Sequence, residues 1–488
     1  MINDQSLRLC DAQPMSFLSQ YPQLKILQSL ARKRSLRIYL VGGFLRDHYL
    51  ARSVTDFDFA VNKGAILLAK AFADAIAGAF VVLDQEHGCG RVVKKVQGTV
   101  WIFDFADFRA ASLKKDIASR DFTINTLYAD LLKIKDGDNI ADFIVDEQGA
   151  KKDLKNKIIR MVSPKAFKDD PLRLMRAYSL KSNFGFKIEK TTAKCIKEEF
   201  KGLRAVSMER VREEFFKILS APRSFETVQE MDRIGLLAMF MPQITIMYDV
   251  HQGGYHHLDV WNHSLEVLRQ FEKVMEEFKS DPQVLGYLQE TMGSNHRRFS
   301  LIKLAALLHD IGKPETKKVE PTRTSFHGHE HVGKNITRLI GRHLKLSVRE
   351  RHMVEDLVLY HLRPGYLSNF KVPSEKSVFR FFRDAKDEVV SILALSLADQ
   401  RATRGPLTTE EDQEHHQKIC VGLIKRYFQM KTKVPAVKLL SGDDLIKKLK
   451  LKPSPLFAKI LQSVQEAQAL GKISTKQEAL ALAAKCIK

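Results

Sequence analysis

The run Val54-Thr-Asp-Phe-Asp-Phe-Ala-Val61 alternates polar and apolar side chains soon after the turn-like segment Leu40-Val-Gly-Gly-Phe-Leu-Arg-Asp47. A period of two specifies a strand with one buried face, because a register slip of one residue would expose Phe57 and Phe59 together. Asp56 and Asp58 then share the opposite face. Two hard oxygen ligands so placed suit Mg²⁺, an ion that keeps coordination positions for phosphate oxygens. Gly42 and Gly43 carry no Cβ, so backbone N–H groups there come close to a phosphate, and a helix opening near Phe44 adds its positive end. Arg46 supplies fixed charge beside that turn. The pattern reads as a metal site facing a phosphate-binding loop.

At 488 residues the chain exceeds what one hydrophobic core serves, so two to four domains are expected. A hydrophobic content of 44% supplies those cores. No apolar run is long enough to span a bilayer, and Met1-Ile-Asn-Asp-Gln5 lacks the basic-then-apolar pattern of a signal peptide. A cytoplasmic protein without membrane contact is expected. Cys10, Cys89, Cys195, Cys420 and Cys486 lie far apart with no Cys-x-x-Cys pair, which argues against a zinc knuckle or a disulfide framework and for buried or inert thiols. The balance of 79 basic to 58 acidic residues, a net charge of +21, favours a polyanionic partner. Nucleic acid leads over an anionic membrane, because no short basic amphipathic segment concentrates the charge.

Five segments are expected. A helical lead-in over 1–37 ends in Arg32-Lys-Arg34, a mixed head covers 38–153, and helical segments cover 154–235, 236–405 and 406–488. The head opens with a strand over 37–41 and continues with an Ala-rich helix over 65–79 and a strand over 80–83. A hairpin then pairs 90–96 with 99–106 around Gln97-Gly98. Beyond Leu154 helical periodicity dominates, with helices opening near Pro171, Ser207, Asp259, Leu301, Val332 and Val389. The Lys-rich stretch 431–452 reads as a linker or an RNA-contacting segment.

Asp104, in Trp101-Ile-Phe-Asp-Phe-Ala106, interrupts an apolar strand pattern, either as a third carboxylate on a neighbouring strand or as an exposed edge residue. Ser119-Arg-Asp-Phe-Thr-Ile-Asn125 gathers Arg120, Asp121 and Asn125 before a helix that Asp121 or Thr123 caps. Asp169-Asp-Pro-Leu-Arg-Leu-Met-Arg176 puts Pro171 at a helix start and Asp170 three residues before Arg173, which fits an N-cap with an ion pair or two base-reading side chains. A further helix, 207–219, opens with a capping Ser207 and sets Glu209 and Glu213 on one face.

Together with the Gly-Gly-x-x-Arg-Asp run and the paired carboxylates, these motifs resemble the polymerase-β-like nucleotidyltransferases, most closely the class II tRNA nucleotidyltransferase and bacterial poly(A) polymerase family. The resemblance implies an α+β fold class: a polymerase-β-like nucleotidyltransferase head, then an all-helical neck that selects nucleotides and binds RNA. It implies Mg²⁺ on Asp56 and Asp58, with Asp104 as a further catalytic candidate. Nucleotide contacts fall to Gly42, Gly43, Arg46, Arg120, Asp121, Asn125, Asp170, Arg173 and Arg176, with Asp170 and Arg173 reading the Watson–Crick edges of CTP and ATP in place of a template. The 207–219 helix would brace that pocket. This chain departs from the family at Ser119, Asp169 and Ser179-Leu180. Its 105–119 segment is also shorter than the flexible loop of full CCA-adding members, a shortness shared by members that add only two Cs.

His309-Asp310 ends the apolar run 301–312, with His256, His257 and His263 upstream, His327-Gly-His-Glu-His331 downstream, and Asp399 in Leu397-Ala-Asp-Gln-Arg401. Imidazoles and carboxylates from several helices suit one transition metal or Mg²⁺ with an open position for a water. The group resembles the HD metal-dependent phosphohydrolase domain, which implies a second divalent metal on His263, His309, Asp310 and Asp399, or else an HD-shaped body that only binds RNA. Leu440-Ser-Gly-Asp-Asp-Leu445, Pro453-Ser-Pro455 and Glu466-Ala-Gln468 resemble the helical, tRNA-binding tail of HD-bearing members. The implied activity is CCA or CC addition to tRNA 3′ ends from CTP and ATP. A poly(A) polymerase, an HD phosphohydrolase and a non-catalytic RNA-binding protein are the alternatives, and the oligomeric state stays open.

Overall fold

The computed structural model describes residues 16–321, 324–432 and 437–487. Residues 1–15 of the expected lead-in, Cys10 among them, and 433–436 of the Lys-rich stretch lie outside the described residues. The chain divides into two compact units, Met1–Val206 and Ser207–Lys488.

The first unit is built on a six-stranded sheet of order β3-β4-β5-β2-β1-β6. Its strands are β1 (Ile38–Val41), β2 (Asp56–Val61), β3 (Ala79–Asp84), β4 (Cys89–Val96), β5 (Thr99–Asp107) and β6 (Tyr128–Asp130). β2 pairs in parallel with β5 and antiparallel with β1, so β5 is an interior strand, flanked by β4 and β2. The expected hairpin turns at Gln97 (φ 48°) and Gly98 (φ 83°), the left-handed pair that a two-residue connection between twisted strands requires. Helix α1 (Gln23–Lys33) follows a short helix, Phe17–Gln20, in the lead-in, and α2 (Gly43–Tyr49) follows β1 directly. Helix α3 (Ala65–Ile76) covers the apolar face of the sheet. It stops short of the expected 79 because Ala77 turns left-handed (φ 49°) and the chain re-enters the sheet at Ala79.

Period-two burial holds over Asp56–Phe59 of β2, after which Ala60 and Val61 are both buried. Phe57 and Phe59 are 1% and 2% exposed, stacked on Phe103 (5.1 Å) and Phe105 (5.0 Å) of β5, with Phe72 of α3 edge-on beneath. The short segment after β5 forms helix α4 (Leu113–Ala118), capped by the Ser112 hydroxyl. Its Ile117 packs on Val41 and Ala60, on the face of the sheet opposite those phenylalanines. Helix α5 (Leu172–Phe184) carries the Asp170–Arg176 motif at its N-terminus.

In the second unit, helices α6 (Val260–Glu277), α7 (Arg298–Leu308), α8 (His329–His343), α9 (Val348–Tyr360) and α10 (Val389–Ala402) form the body. α10 is buried nearly all round, which explains its lack of an amphipathic stripe. α7 starts earlier than Leu301 because Arg298, 1% exposed, is held inside by Glu388 and Glu290. Tail residues Leu440, Leu445, Ile460, Val464, Ala479 and Ala483 form a small core of their own. Among the described cysteines only Cys420 is fully buried; Cys89, Cys195 and Cys486 are half-buried.

Glu350 opens α9 through a capping box and is fully buried. Burial works against its charge, but hydrogen bonds from His296, from the Ser347 hydroxyl and from the Ser294 and Ser347 amides win, holding the carboxyl down to about 2 from an ordinary 4.5. A depressed acid stabilises the fold above its unfolded pKa and loses that contribution as pH falls from about 4.5 through about 2. Glu350→Gln therefore costs up to roughly 3 kcal/mol at neutral pH in urea unfolding, with the difference from wild type shrinking in acid. A deficit that stays constant with pH contradicts this assignment.

Candidate active sites

Register places four residues in a row across the first sheet: Arg91 opposite Asp104, Asp104 opposite Asp58, and Asp58 opposite Val41. Val41 leads straight into the Gly42-Gly43 turn that opens α2. Asp104 thus lies on the neighbouring strand, beside Asp58. It is not an edge residue, since β5 lies inside the sheet, and Arg91 clamps it through two 2.7 Å hydrogen bonds. Burial, then the neighbouring Asp104, pushes the carboxyls of both Asp56 and Asp58 above the usual range, while the Gly43 amide partly offsets this at Asp58. Carboxylates that resist ionisation through burial and through the nearby charge of Asp104 fit a hard divalent cation, which would relieve the excess negative charge.

Gly42 sits at φ 71° with Arg120, Asp58 and Asn125 around it. A methyl built there would lie 3.2 Å from Arg120 Nη1 and 3.4 Å from Asp58 Oδ2, and one on Gly43 would lie 3.5 Å from Asp58 Oδ2. Gly42→Ala combines left-handed strain of about 1–2 kcal/mol with crowding of the turn. Catalysis is expected to fall about tenfold or more, since a small misplacement at a reacting centre has effects of that size. Steady-state rates together with thermal melting check this; an unchanged rate in a folded variant contradicts it.

Arg46 donates to Asn125 Oδ1 at 2.6 Å and to both Asp47 oxygens, and it stacks over Phe184. Arg120 reaches Asp116 at 3.4 Å, and its Nε is buried without a hydrogen-bond partner. The segment after Asp121 is a 3-10 turn, Thr123–Asn125, and not the expected capped helix, because the chain goes on at once to pair β6 with β1. Asp121 instead accepts from the Phe122 amide at 2.8 Å and from Asn125 Nδ2 at 3.1 Å, and pairs with Arg176 at 2.8 Å. Burial opposes its charge, yet Arg176 and these donors hold the carboxyl below its ordinary value. Asp170 Oδ1 accepts the Leu172 amide at 3.2 Å, an N-capping role. Arg173 is 8% exposed, with Nη1 on the carbonyls of Ser119 (3.0 Å) and Ala166 (3.3 Å).

In the second unit His263, His309, Asp310 and Asp399 do come together. His263 Nε2 lies 2.9 Å from Asp399 Oδ1 and 3.8 Å from Asp310 Oδ2, and His309 Nε2 lies 3.2 Å from Asp310 Oδ2. His309 Nδ1 faces the Ala306 carbonyl at 3.0 Å, which makes Nδ1 a donor, and its buried Nε2 faces Asp310; burial opposes protonation, yet Asp310 and Asp399 hold the imidazole above its ordinary value. That donor set fits a divalent transition metal. Burial would raise Asp310 and Asp399, but facing histidines hold both well below the carboxylate range, and Lys313, at 2.6 Å from Asp310 Oδ2, adds to this at Asp310. His256 packs edge-on against His263. His257, His327 and His331 are exposed.

Two residues not singled out from the sequence also enter this cluster. His329 and His361 approach the other oxygen of Asp310, Oδ1, at 3.3 and 3.6 Å. His329 lay within the His-rich tract, whereas His361 stands alone in Tyr360-His-Leu-Arg363 with no spacing to mark it. Gly312 makes the approach of α8 possible, since a methyl there would fall 2.1 Å from the His329 carbonyl oxygen.

Residues 38–160 match the family described as "Poly A polymerase head domain", and 185–247 the family described as "Probable RNA and SrmB-binding site of polymerase A". Residues 260–402 match the HD domain, and 338–484 match domain 2 of tRNA nucleotidyltransferases. An A-adding tRNA nucleotidyltransferase of Deinococcus radiodurans is 30% identical over 451 residues, covering 91% of this chain and 94% of the relative. CC-adding tRNA nucleotidyltransferases of Thermus thermophilus and Geobacter sulfurreducens are 29% and 28% identical, covering 90% and 96% of this chain and 92% and 96% of the relatives. A CCA-adding enzyme solved with CTP shares the fold at a TM-score of 0.60 and 19% identity, over 96% of this chain and 95% of that one. The Thermotoga maritima CCA-adding enzyme complexed with tRNA does so at 0.58 and 20%, again over 96% and 95%. No described helix is long and apolar enough to cross a membrane.

Proposed function

The chain belongs to the tRNA nucleotidyltransferase family, and from that membership we propose that it extends tRNA 3′ ends with nucleotides from CTP, releasing pyrophosphate. The reading is carried by the row Arg91–Asp104–Asp58, which ends beside the Gly42-Gly43 turn. Divalent-metal dependence follows from the family, and Asp56 and Asp58 would hold Mg²⁺. When bound, the ion supplies charge neutralisation at the attacking and leaving oxygens. Asp104, clamped by Arg91, keeps that region negative without itself being free to swing. The cradle at Gly42 and Gly43 lets the triphosphate approach the backbone, and Arg120, beside Gly42, contributes fixed positive charge there. The Asp121–Asn125–Arg46 hydrogen-bonded chain shapes the sugar side of the pocket. Asp170, Arg173 and Arg176 select the base; Arg173 is pre-organised by two carbonyls and Arg176 by Asp121.

The product we propose is CC. Between β5 and α4 only residues 108–112 intervene, and Ile117 ties α4 to the sheet, which leaves no length for a long flexible loop. Addition of A alone is the second reading, favoured by the likeness to the Deinococcus radiodurans enzyme. In the second unit His263, His309, Asp310 and Asp399 would hold one divalent ion suited to phosphate-ester hydrolysis. The test of the transfer reading is pyrophosphate release from CTP with a tRNA transcript lacking its 3′ CCA. Chelation should abolish release and Mg²⁺ restore it; release that survives complete chelation would remove the metal from the scheme.

A further inference from the structure

We infer that Asp116, on helix α4, is a positioning residue for nucleotide addition: it holds the Arg120 guanidinium against the Gly42 turn, where the phosphates of the incoming nucleotide arrive, and keeps it from closing onto Asp58. Asp116 acts within the transfer chemistry proposed for the first unit, and its role stands on that reading. It also gives a use to the short connection between β5 and α4, which brings a buried carboxylate within reach of the phosphate cradle.

Asp116 is 5% exposed, and an acid is rarely buried so far unless it is paired. Its two oxygens have separate partners. Oδ1 accepts the Arg109 amide at 2.9 Å, which closes the connection over 109–116, and Oδ2 lies 3.4 Å from Arg120 Nη2. The carboxylate is held in place from behind, because the Ser112 hydroxyl caps α4 and Ile117, the next residue, packs on Val41 and Ala60. The backbone of Arg120 is fixed as well. Its amide donates to the Ile117 carbonyl at 3.2 Å, and the preceding Ser119 donates its hydroxyl to the Asp116 carbonyl at 2.7 Å while its own carbonyl accepts from Arg173 at 3.0 Å. Only the direction of the guanidinium is left to set. Among the described residues Asp116 is the one acid paired with it, and Nε is buried without a hydrogen-bond partner. A planar fork held at Nη2 has its other end directed away from the acid, and Nη1 lies beside the turn, 3.2 Å from where a Gly42 methyl would stand. That same point is 3.4 Å from Asp58 Oδ2, so Arg120 and Asp58 border one spot. Released from Asp116, the cation would be drawn onto the Asp58 carboxylate and neutralise a ligand intended for the metal. Asp116 thus decides which of two acids the guanidinium serves.

The test uses Asp116→Asn in the full chain, which keeps an oxygen for the Arg109 amide and removes the charge facing Arg120. CTP binding is measured by calorimetry in the presence of chelator, and C addition to a tRNA transcript lacking its CCA is followed against Mg²⁺ concentration. Asp116→Asn should bind CTP about three- to tenfold more weakly, the effect of unfixing one long side chain at a binding site, and its half-saturating Mg²⁺ concentration should rise severalfold. Arg120→Met should also weaken CTP binding. Adding Asp116→Asn to Arg120→Met should then change neither CTP binding nor the Mg²⁺ requirement any further, because Asp116 acts only through Arg120. The double variant keeps the test decisive even if Asp116→Asn melts below wild type, since a general loosening of the fold would add to the Arg120→Met loss. Additive losses therefore overturn the inference, as does an Asp116→Asn variant with the CTP binding and Mg²⁺ dependence of wild type; in both cases the transfer reading stands. A wild-type chain that adds no C overturns the transfer reading and the role of Asp116 with it.

Discussion

Asp58→Ala abolishes nucleotide addition, lowering kcat by about 10³-fold or more, while tRNA binding is retained. The size follows from removing a group that positions transition-state charge stabilisation worth several kcal/mol, each 1.4 kcal/mol being about tenfold. Asp58 lies against the Gly42 turn, and its register neighbour Asp104 is held by Arg91 through both oxygens, so Asp104 is not free to take over its position. Asp58→Asn keeps the shape and removes the charge, and should lose nearly as much. Binding persists because affinity for a polyanion rests on the +21 net charge spread over the chain. Single-turnover addition and filter binding measured on the same preparation separate the two effects. A variant that still adds nucleotides within about tenfold of wild type would remove Asp58 from the chemistry.

Phe57→Ala destabilises the first unit by about 3–5 kcal/mol, the range for truncating a buried aromatic. Phe57 is 1% exposed, stacked on Phe44 at 4.5 Å and Phe103 at 5.1 Å, with Tyr21 edge-on at 5.2 Å. Its position between Asp56 and Asp58 makes it the apolar counterpart of the carboxylate pair. The cavity left by truncation loosens the strand that aims both acids, so activity should fall together with stability. Phe57→Leu, which refills most of the volume, should recover most of both. Urea unfolding followed by circular dichroism checks the stability; a loss under about 1 kcal/mol contradicts the packing described.

The parts of this molecule governed by local periodicity were readable from the chain. Asp56 and Asp58 on one face, the Gln97-Gly98 hairpin and the helical second unit depend on alternation, turn chemistry and helical spacing, all short-range properties. What sequence reading missed is set by pairing across the fold. The clamp of Arg91 on Asp104 depends on the β4–β5 register, and the redirection of Arg173 to the Ser119 and Ala166 carbonyls depends on where α5 docks. Asp121 and Thr123 favour N-caps and so predict a helix start, but sheet pairing of Tyr128 overrides that local preference and leaves a turn at Thr123–Asn125. The histidines show the limit most sharply. His309 announced itself beside Asp310, whereas His361 reaches the same carboxylate from another helix, through contacts that no spacing encodes.

The most direct measurement is to incubate the protein and Mg²⁺ with tRNA transcripts that end before CCA, after C and after CC, offering CTP, ATP or both, and to sequence the 3′ ends. The account predicts addition of C to the first two transcripts, halting at CC. Addition of A to the transcript ending in CC, long A tails, or no addition to any transcript, would contradict it.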